Sequence, residues 1–465
     1  MSSLEEVHRL IEAGYPAHLE SIREFLRMPS ISADGTGIRE TGEAVKGFIE
    51  ELGGQAEIVP TAGQPTVYGE LSLGKPKTLL VFSSYDVVPA EEEEWMVPPF
   101  SAEIVDLPDV GRCLVSRGVY DTKAPLRGFF NAVQAIQEVN ELPVNLKFVI
   151  EGGEEQGSKG LPEFFVEYKE RLACDAALLP FFSLDSGGTP VTRLGTKGIV
   201  SLELVCQGGE WGGPRRRGIH SRHGTWISSP VWRLVQALSS MIAEDGTPAI
   251  EGFYDEVRGP DQDDQELLAR LEKVFDETRV LEDNDVARFM YEDLHGAELL
   301  TKHLYLPVIN LDGLVAGHTG AGVKNVIGHK ATAKVDIRLV PDMTVEGTLE
   351  KVREHLASHG FDEVQVDVLA GYSWSRTPVK SEVVEALLDT YRYHGYEPEV
   401  WPTSAGSGIF YLFTRELGVP LVPGGLCHGG NAHSANEYAV VDQIELFEKS
   451  MATLLYHFGG VTPVG

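Results

Sequence analysis

The sequence predicts an α/β protein with a mostly parallel sheet, helices on both faces, and a second α+β domain inserted into the chain. Strands and helices alternate between residues 78 and 179, which is typical of a parallel sheet covered on both faces. After about residue 198 the strands alternate like half-exposed antiparallel ones, and after residue 380 the first pattern returns. We therefore expect one α/β domain at 1–197 and 374–465, interrupted by a separate domain at 198–373.

Apolar residues at helical spacing predict the helices, and short apolar runs predict the strands. The predicted helices span about 7–26, 41–53, 126–139, 161–172, 230–242, 344–355, 382–393, 408–417 and 443–458. The predicted strands span about 78–82, 146–150, 175–179, 199–206, 331–339, 364–368 and 419–422. Residues 251–300 are acidic and weakly periodic, which indicates an insertion.

Composition narrows the class of protein. A chain of 465 residues is too long for one small core. The net charge of −31 argues against nucleic acid or an anionic membrane as a partner. The N-terminus lacks the order of a signal peptide, and no apolar run reaches the length of a membrane span. The four cysteines are scattered without CxxC spacing, so we expect reduced thiols and a soluble, cytoplasmic protein.

Polar and acidic residues cluster where predicted strands end. Ser84 and Asp86 follow the first strand, and Glu154 and Glu155 follow the strand at 146–150 in a Gly-rich turn. Ligands of such sheets bind at the carboxyl ends of strands, where Asp121 is also expected. The side chains of adjacent residues point in different directions. One carboxylate can therefore bind a metal while the other accepts or donates a proton. An isolated Glu-Glu pair more often belongs to a solvated turn. The other motifs of this chain favour a functional site instead.

These residues belong to motifs that extend along most of the chain. They lie at residues 85–89, 95, 99–100, 117–118, 121–123, 151–158, 218–221, 338–341, 406–408 and 432–437. In these motifs the chain resembles the M20 metallopeptidase family of carboxypeptidases, dipeptidases, aminoacylases and succinyl-diaminopimelate desuccinylases. The resemblance implies a zinc-binding α/β domain and a ferredoxin-like lid domain, here 198–373, which often forms a homodimer.

The resemblance also implies metal ligands. The family usually binds two metals; Asp121 matches the bridging ligand, and Glu155 and His433 match the other ligands of one metal. The positions of the second metal's own ligands hold Ser84 and Phe181 instead. A serine hydroxyl is a poor ligand for a divalent ion and phenylalanine is none. We therefore expect one divalent ion per chain, Zn²⁺ or Mn²⁺, with Ser84 and Phe181 as substrate contacts.

The sequence leaves one alternative open for the metal site, and it suggests roles for two further acidic residues. Asp185 or the pair Cys427-His428 could supply a substitute ligand for a second metal. Glu154 matches the family's general base, which takes a proton from the attacking water. Asp86 either holds a water or a substrate amine, or is a structural acid of its turn.

The resemblance places further residues in the lid and near it. His220 matches a histidine that steadies the developing oxyanion, in dimeric members at the partner's site. Asn325 and Arg338 match residues that grip the substrate, the arginine at a carboxylate. Gly406 and Ser407, read as the opening of a helix, would offer backbone N–H groups to an anion.

Together these features predict a metal-dependent hydrolase of a C–N bond, with Glu154 activating water. Its substrate would be a small carboxylate-bearing molecule, such as a peptide or an N-acyl amino acid. One alternative is an aminohydrolase of the nitroanthranilate type, which removes an amino group from an aromatic amine while Phe181 faces the ring. The other alternative is a non-catalytic, ligand-binding relative.

Overall fold

The computed structural model describes residues 3–461, which form eleven α-helices and twenty strands. The helices are α1 (Ser3–Leu26), α2 (Ile38–Glu51), α3 (Lys123–Val139), α4 (Leu161–Glu167), α5 (Pro230–Ser240), α6 (Gln262–Leu271), α7 (Glu277–Asp283), α8 (Gly296–Tyr305), α9 (Val345–Ser358), α10 (Glu382–Tyr393) and α11 (Val441–Phe458). The strands are β1 (Gln55–Val59), β2 (Thr66–Leu71), β3 (Thr78–Ser84), β4 (Glu103–Leu107), β5 (Gly111–Val115), β6 (Asn145–Glu151), β7 (Ala176–Pro180), β8 (Val191–Arg193), β9 (Gly195–Gln207), β10 (Ile219–His220), β11 (Val308–Ala316), β12 (Val326–Ile327), β13 (Lys330–Leu339), β14 (Val364–Tyr372), β15 (Ser375–Arg376), β16 (Glu399–Trp401), β17 (Ser404–Ser407), β18 (Leu421–Gly424), β19 (Gly429–Gly430) and β20 (Tyr438–Val440).

The chain divides into two compact units. The first combines the described residues up to Leu194 with Thr377–Trp401 and the described residues from Leu412 onward. The second comprises Gly195–Arg376 and Pro402–Tyr411. Compared with the expected division at 198 and 373, the short segment Pro402–Tyr411 is an addition to the second unit. It joins that unit because β17 pairs with β9.

The first unit contains a six-stranded sheet in the order β1-β2-β6-β3-β7-β18. The pairs β6–β3, β3–β7 and β7–β18 are parallel, whereas β1–β2 and β2–β6 are antiparallel. The sheet is therefore mostly parallel, as predicted. Its central strands β3 and β6 are almost wholly buried, which is why their sequences are continuous apolar runs.

Helices cover this sheet and pack on one another. Helices α1, α3 and α11 are in mutual contact, α10 packs on α11, and α2 packs on β1 and β2. A second, four-stranded sheet of the same unit has the order β19-β20-β5-β4. Its antiparallel pairing of β20 with β5 matters for the site because it fixes the segment that follows His433.

The second unit has the succession β9-α5-β11-β13-α9-β14, with α6, α7 and α8 between α5 and β11. Its sheet has the order β11-β13-β9-β14 with every neighbouring pair antiparallel. A βαββαβ succession in this order is the ferredoxin-like arrangement that the resemblance implied. Apolar residues of β9, β13, α5 and α9 form its core.

The structure differs from the predicted elements in several places. The helix predicted at 408–417 begins later than predicted: strand β17 ends at Ser407, and a π-helix occupies Leu412–Leu417. The sequence did not predict β1, β2, β4, β5 and β11, nor the short strands β8, β10, β12, β15, β16, β17, β19 and β20. The acidic segment 251–300 contains α6, α7 and the start of α8, and α6 begins with a capping box between Asp261 and Asp264.

Within residues 3–461, none of the helices is both long enough and apolar enough to pass through a lipid bilayer.

Candidate metal centre

Three side chains predicted as metal ligands meet in the first unit. Asp121, Glu155 and His433 each offer a ligand atom, and these atoms all lie within 4.8 Å of one another. His433 Nε2 is 3.2 Å from Asp121 Oδ2 and 3.1 Å from Glu155 Oε1. Two carboxylate oxygens and an imidazole nitrogen are a donor set that suits Zn²⁺ or Mn²⁺. The residues therefore fit one divalent ion.

The three ligands come from three separate connections. Asp121 lies between β5 and α3, Glu155 follows β6, and His433 lies between β19 and β20. His433 has a left-handed backbone, with φ 60°. Such a backbone costs roughly 1–2 kcal/mol for a residue with a Cβ atom, so the surrounding fold must hold it in place.

One buried carboxylate links two of these connections. Glu437 Oε1 accepts hydrogen bonds from the backbone N–H groups of Tyr120 (2.8 Å) and Asp121 (3.0 Å). Its Oε2 accepts from Gly118 N (3.0 Å) and from Arg117 Nη1 (2.8 Å). Glu437 follows His433 by four residues, so it ties the segment of one ligand to the backbone of another. It is 1% exposed.

A second buried carboxylate fixes the Glu-Glu turn. Asp86 Oδ1 accepts from Glu154 N and Oδ2 accepts from Glu155 N, both at 3.1 Å. Both acceptor oxygens are therefore used by backbone N–H groups. Of the two roles left open for Asp86, these contacts support the structural one, because they orient the backbone of Glu154 and Glu155.

The acids of the centre raise one another's pKa values when no cation is bound. Burial, followed by the charges of Asp121 and Asp86, raises the pKa of Glu154 to about 7, although part of its side chain is open to solvent. Burial and the charge of Glu154 raise the pKa of Glu155 to about 8. The hydrogen bond to Asp121 raises the pKa of His433 to about 9. The cluster thus favours positive charge, which is the condition for binding a divalent ion.

The expected position of a second metal holds uncharged side chains. Ser84 is 6% exposed, and its Oγ lies 3.1 Å from Thr122 Oγ1, which also contacts Ser83 Oγ at 3.2 Å. Phe181 is half-buried and meets the ring of Tyr120 edge-on, with centroids 5.0 Å apart. Within residues 3–461, no second group of three His, Cys, Asp or Glu side chains has metal-ligand spacing.

The two candidates for a substitute ligand have other partners. His428 Nδ1 lies 2.9 Å from Leu184 O, and its Nε2 lies 3.1 Å from Tyr438 OH. Asp185 Oδ1 accepts from the N–H groups of Gly187 (2.9 Å) and Thr189 (2.8 Å). These contacts explain why neither residue joins a ligand cluster.

The remaining predicted site residues lie in the second unit. His220 and Asn325 are exposed and close together, because β10 pairs with β12 and Ser221 N donates to Asn325 O at 3.1 Å. Arg338 Nε donates to Asp336 Oδ1 at 2.7 Å, and its Nη1 donates to Ser407 Oγ at 2.9 Å.

Gly406 and Ser407 belong to strand β17, so the prediction that they open a helix is wrong. Ser407 Oγ donates to Gly198 O at 3.1 Å, which fixes the end of β17 against β9. The same hydroxyl accepts from Arg338 Nη1, so Ser407 contacts both β9 and the Arg338 guanidinium.

Sequence reasoning did not assign roles to Glu437, Thr122 and Tyr120. Glu437 is the last residue of the motif at 432–437, and its spacing of four residues from His433 is the one signal that the sequence offers. Thr122 and Tyr120 flank Asp121, but their partners come from strands that only the folded sheet brings near.

Comparison with known proteins identifies the family that shares this architecture. A model of the peptidase family M20/M25/M40 matches residues 80–457. Cys-Gly metallodipeptidase DUG1 of Candida albicans is 26% identical over 98% of this chain and 97% of its own length. Beta-Ala-His dipeptidase of Rattus norvegicus is 26% identical over 89% of this chain and 84% of its own length. The crystal structure of the M20 family metallo-carboxypeptidase Sso-CP2 from Sulfolobus solfataricus superposes with a TM-score of 0.86 and 32% identity, covering 95% of this chain and 99% of that chain.

A mostly parallel sheet that gathers two carboxylates and a histidine is typical of zinc-peptidase-like metallohydrolases. The chain belongs to the peptidase family M20/M25/M40. It is accordingly a hydrolase that acts on peptide C–N bonds and uses divalent metal ions.

Proposed function

We propose that the chain hydrolyses a C–N bond with one divalent ion, Zn²⁺ or Mn²⁺, held by Asp121, Glu155 and His433. The observation that carries this proposal is the cluster of three ligand atoms within 4.8 Å, the one group of this kind among residues 3–461. The uncharged side chains of Ser84 and Phe181, at the positions matching the second metal's ligands, support one ion rather than two.

A divalent ion at this centre would polarise the scissile carbonyl and lower the pKa of water. Glu154, the neighbour of ligand Glu155, accepts the proton of the attacking water and delivers it to the leaving nitrogen. Asp86 keeps both acids in place through their backbone N–H groups. Water thus adds across the bond and yields a carboxylic acid and an amine.

We propose substrate-binding roles for residues of the second unit. Arg338 binds a substrate carboxylate. Asp336 and Ser407 accept hydrogen bonds from its guanidinium and thereby fix its orientation. His220 steadies the developing oxyanion, and its exposed side chain supports this role. Asn325 and Gly406 bind further polar groups of the substrate.

The proposed substrate class is a small carboxylate-bearing peptide or N-acyl amino acid. Relatives that align over most of this chain act on the dipeptides Cys-Gly and β-Ala-His, both of which carry a free carboxylate. The edge-to-face pair of Tyr120 and Phe181 favours a second candidate, the removal of an amino group from an aromatic amine. Release of ammonia from aryl amines, without cleavage of dipeptides or N-acyl amino acids, would select this second candidate. A non-catalytic, ligand-binding relative would not need a general base. The presence of Glu154 beside the three metal ligands therefore favours an enzyme.

Counting metal ions tests the proposal. Elemental analysis of protein purified without chelator should give about one ion per chain, and the His433→Ala variant should lose it. The double variant S84H/F181D offers a His and an Asp where the family has ligands, and should bind two ions. Two ions in the unmodified protein would contradict the one-metal proposal, and no uptake of metal would contradict the catalytic one.

We propose that the second unit forms a lid and joins two copies of the chain. Strand β11 is at the edge of its sheet and carries exposed apolar residues: Leu311 (53%), Leu314 (43%) and Val315 (67%). Beside it, residues of α5 and β11 line a groove of about 460 Å³. An exposed edge strand has backbone N–H and C=O groups that can pair with another strand. The same strand of a second copy, running antiparallel, would form these hydrogen bonds with two-fold symmetry. Asp312 is the one charged residue of β11, so this edge is mostly apolar although the chain is strongly acidic, which supports contact between copies.

We also propose a cytoplasmic location and a small-molecule substrate as the binding partner. All four cysteines are free, and three of them, Cys113, Cys206 and Cys427, are buried. Free thiols are typical of reducing compartments. The net charge of −31 supports small molecules rather than nucleic acids or anionic membranes as partners.

A further inference from the structure

Arg117 is the ion-pair partner of Glu437, the buried carboxylate that links two ligand segments. Its Nη1 donates to Glu437 Oε2 at 2.8 Å, and both side chains are almost fully buried. A buried ion pair is stable only where its geometry is good and the polar groups around it are satisfied. The backbone of the arginine is fixed, because Arg117 N donates to Pro99 O at 2.7 Å.

The ring of Trp95 covers this guanidinium where no second polar partner does. Arg117 Nε is buried and has no hydrogen-bond partner within residues 3–461. The guanidinium carbon lies 5.1 Å from the centre of the Trp95 ring, a distance at which an indole attracts a cation. Trp95 is 9% exposed and packs with Cys113 and Val115 of β5. The indole therefore restricts the positions that the Arg117 side chain can take.

A second contact joins the same segment to the residue before Glu437. Asn436 Oδ1 accepts from Met96 N at 2.8 Å. Residues 95 and 96 thus act on the segment that follows His433 in two ways. Met96 bonds it directly, and Trp95 acts on it through Arg117.

The segment Glu91–Met96 is a short turn at the surface. Its middle residues Glu92–Glu94 form a 3₁₀ turn, and Trp95 N donates to Glu92 O at 3.1 Å. Trp95 is the one buried residue of this segment, so the indole attaches the turn to the protein. A segment with so few buried contacts opens at a low cost in free energy. Loss of the indole should therefore release the turn and its contacts with Arg117 and Asn436.

We propose that Trp95 and Arg117 are positioning residues of the metal centre, which act on the ion through Glu437. The carboxylate of Glu437 accepts from two backbone N–H groups, one of them that of ligand Asp121, so a shift of this carboxylate moves the ligand. Metal affinity then depends on an aromatic ring at position 95, which offers no atom to the ion. This inference rests on the metal site proposed above.

Metal affinity of variants at positions 95 and 117 tests the inference. Competition with a chromophoric chelator gives the dissociation constants of Zn²⁺ and Mn²⁺ without any measurement of activity. Trp95→Leu should weaken metal binding about tenfold, as the loss of an outer contact does. Trp95→Phe keeps a ring over the guanidinium and should stay within about threefold of the parent. Arg117→Lys keeps the charge but loses the planar guanidinium, and should weaken binding about as much as Trp95→Leu.

Trp401→Leu is the matched control. The Trp401 ring also faces a guanidinium, that of Arg193 at 5.9 Å, in the same unit. Glu437 has its ion pair with Arg117 and not with Arg193. The control variant should therefore lose stability in urea while it keeps the metal affinity of the parent.

The double variant W95L/R117K shows whether the two residues act along one path. Its loss of metal affinity should be close to that of either single variant, because residues that act through one contact are not additive. Parent affinity in Trp95→Leu would overturn the inference. So would an additive loss in W95L/R117K, or a loss in Trp401→Leu as large as in Trp95→Leu. Failure of the proposed function has a different signature: the parent itself would bind neither Zn²⁺ nor Mn²⁺, and the inference would fall with it.

Discussion

Glu154, Glu155 and Glu437 have the same side chain, but their surroundings give them different tasks. Glu155 is part of the ligand cluster, Glu154 is its partly exposed neighbour, and Glu437 is buried and bonded to backbone N–H groups. The same substitution by glutamine should therefore have a different effect at each position.

Glu154→Gln should keep the metal and lose turnover. Glutamine has nearly the same shape but cannot accept the proton of the attacking water, so kcat should fall by about 10²–10⁴-fold. Steady-state kinetics together with elemental analysis would measure both properties. Glu155→Gln is the matched comparison, because it removes a ligand and should lower metal content. Normal turnover by Glu154→Gln would exclude the base role.

Glu437→Gln should weaken metal binding although Glu437 is not a ligand. The amide NH₂ would face N–H donors that now bond a carboxylate oxygen, and the backbone at Asp121 would shift. Loss of such an outer contact lowers metal affinity by about 10–100-fold. Competition with a chelator would measure the change.

Glu448→Gln is the control for that substitution. Glu448 is also fully buried, and it is held by His18 at 2.6 Å and Asn131 at 2.8 Å, away from the ligands. Its replacement should reduce stability without changing metal affinity. Equal losses of affinity in both variants would show that Glu437 acts only through general stability.

At the scale of elements, sequence periodicity identified the helices of the first unit well. Helix α10 has the predicted bounds, and α3 and α11 begin within three residues of them. The strands β1, β2, β4 and β5 were missed because they are short, and β1 and β4 are partly exposed. The Gly406 region was misjudged because glycine and serine suit a helix start as well as the strand that pairing with β9 imposes.

The contact of α1, α10 and α11 contains two histidines that burial keeps neutral. His8 Nε2 and His394 Nε2 each lie 3.0 Å from Thr453 Oγ1, and burial lowers the pKa of each to about 4. In the unfolded chain these histidines titrate near pH 6.5. The unfolded state therefore binds more protons between pH 6.5 and 4, and stability should fall as the pH drops through that window, by up to a few kcal/mol for the pair.

Urea unfolding at several pH values with a chelator present would measure this effect. The double variant H8Q/H394Q should show a flatter dependence of unfolding free energy on pH between 6.5 and 4. His295→Gln is the control with the opposite sign, because the Glu277 carboxylate raises the pKa of His295. An unchanged slope in the double variant would show that other groups govern acid sensitivity.

At the scale of the whole molecule, the distribution of exposed apolar residues should decide the oligomeric state. Lysine at Leu311 and Val315 on β11 would place like charges opposite each other in a symmetric strand pair, which is destabilising. Light scattering after size exclusion should show half the mass for this double variant. Val274→Lys, which is equally exposed but lies in the segment 251–300, should keep the parent mass. A parent protein of monomer mass would contradict the proposed dimer.

The metal ligands were predictable because they lie in contiguous motifs. Asp121, Glu155 and His433 were identified by resemblance, and the structure brings them together. The role of Glu437 and the contact of Phe181 with Tyr120 were not predicted, because each depends on a backbone segment far away in sequence. A carboxylate that binds N–H groups, or a ring that meets another ring, has no local spacing that sequence inspection can detect.

The interruption of the first unit has a consequence for how the protein is made. Asp121 and Glu155 precede the segment Gly195–Arg376, and His433 follows it. At about 5–20 residues per second, a ribosome needs roughly 15–60 s to travel from the codon for Asp121 to that for His433. A nascent chain in this interval has two carboxylates but no imidazole. Acquisition of the metal therefore waits for the end of translation, and a message truncated before His433 would yield a polypeptide that cannot hold the ion.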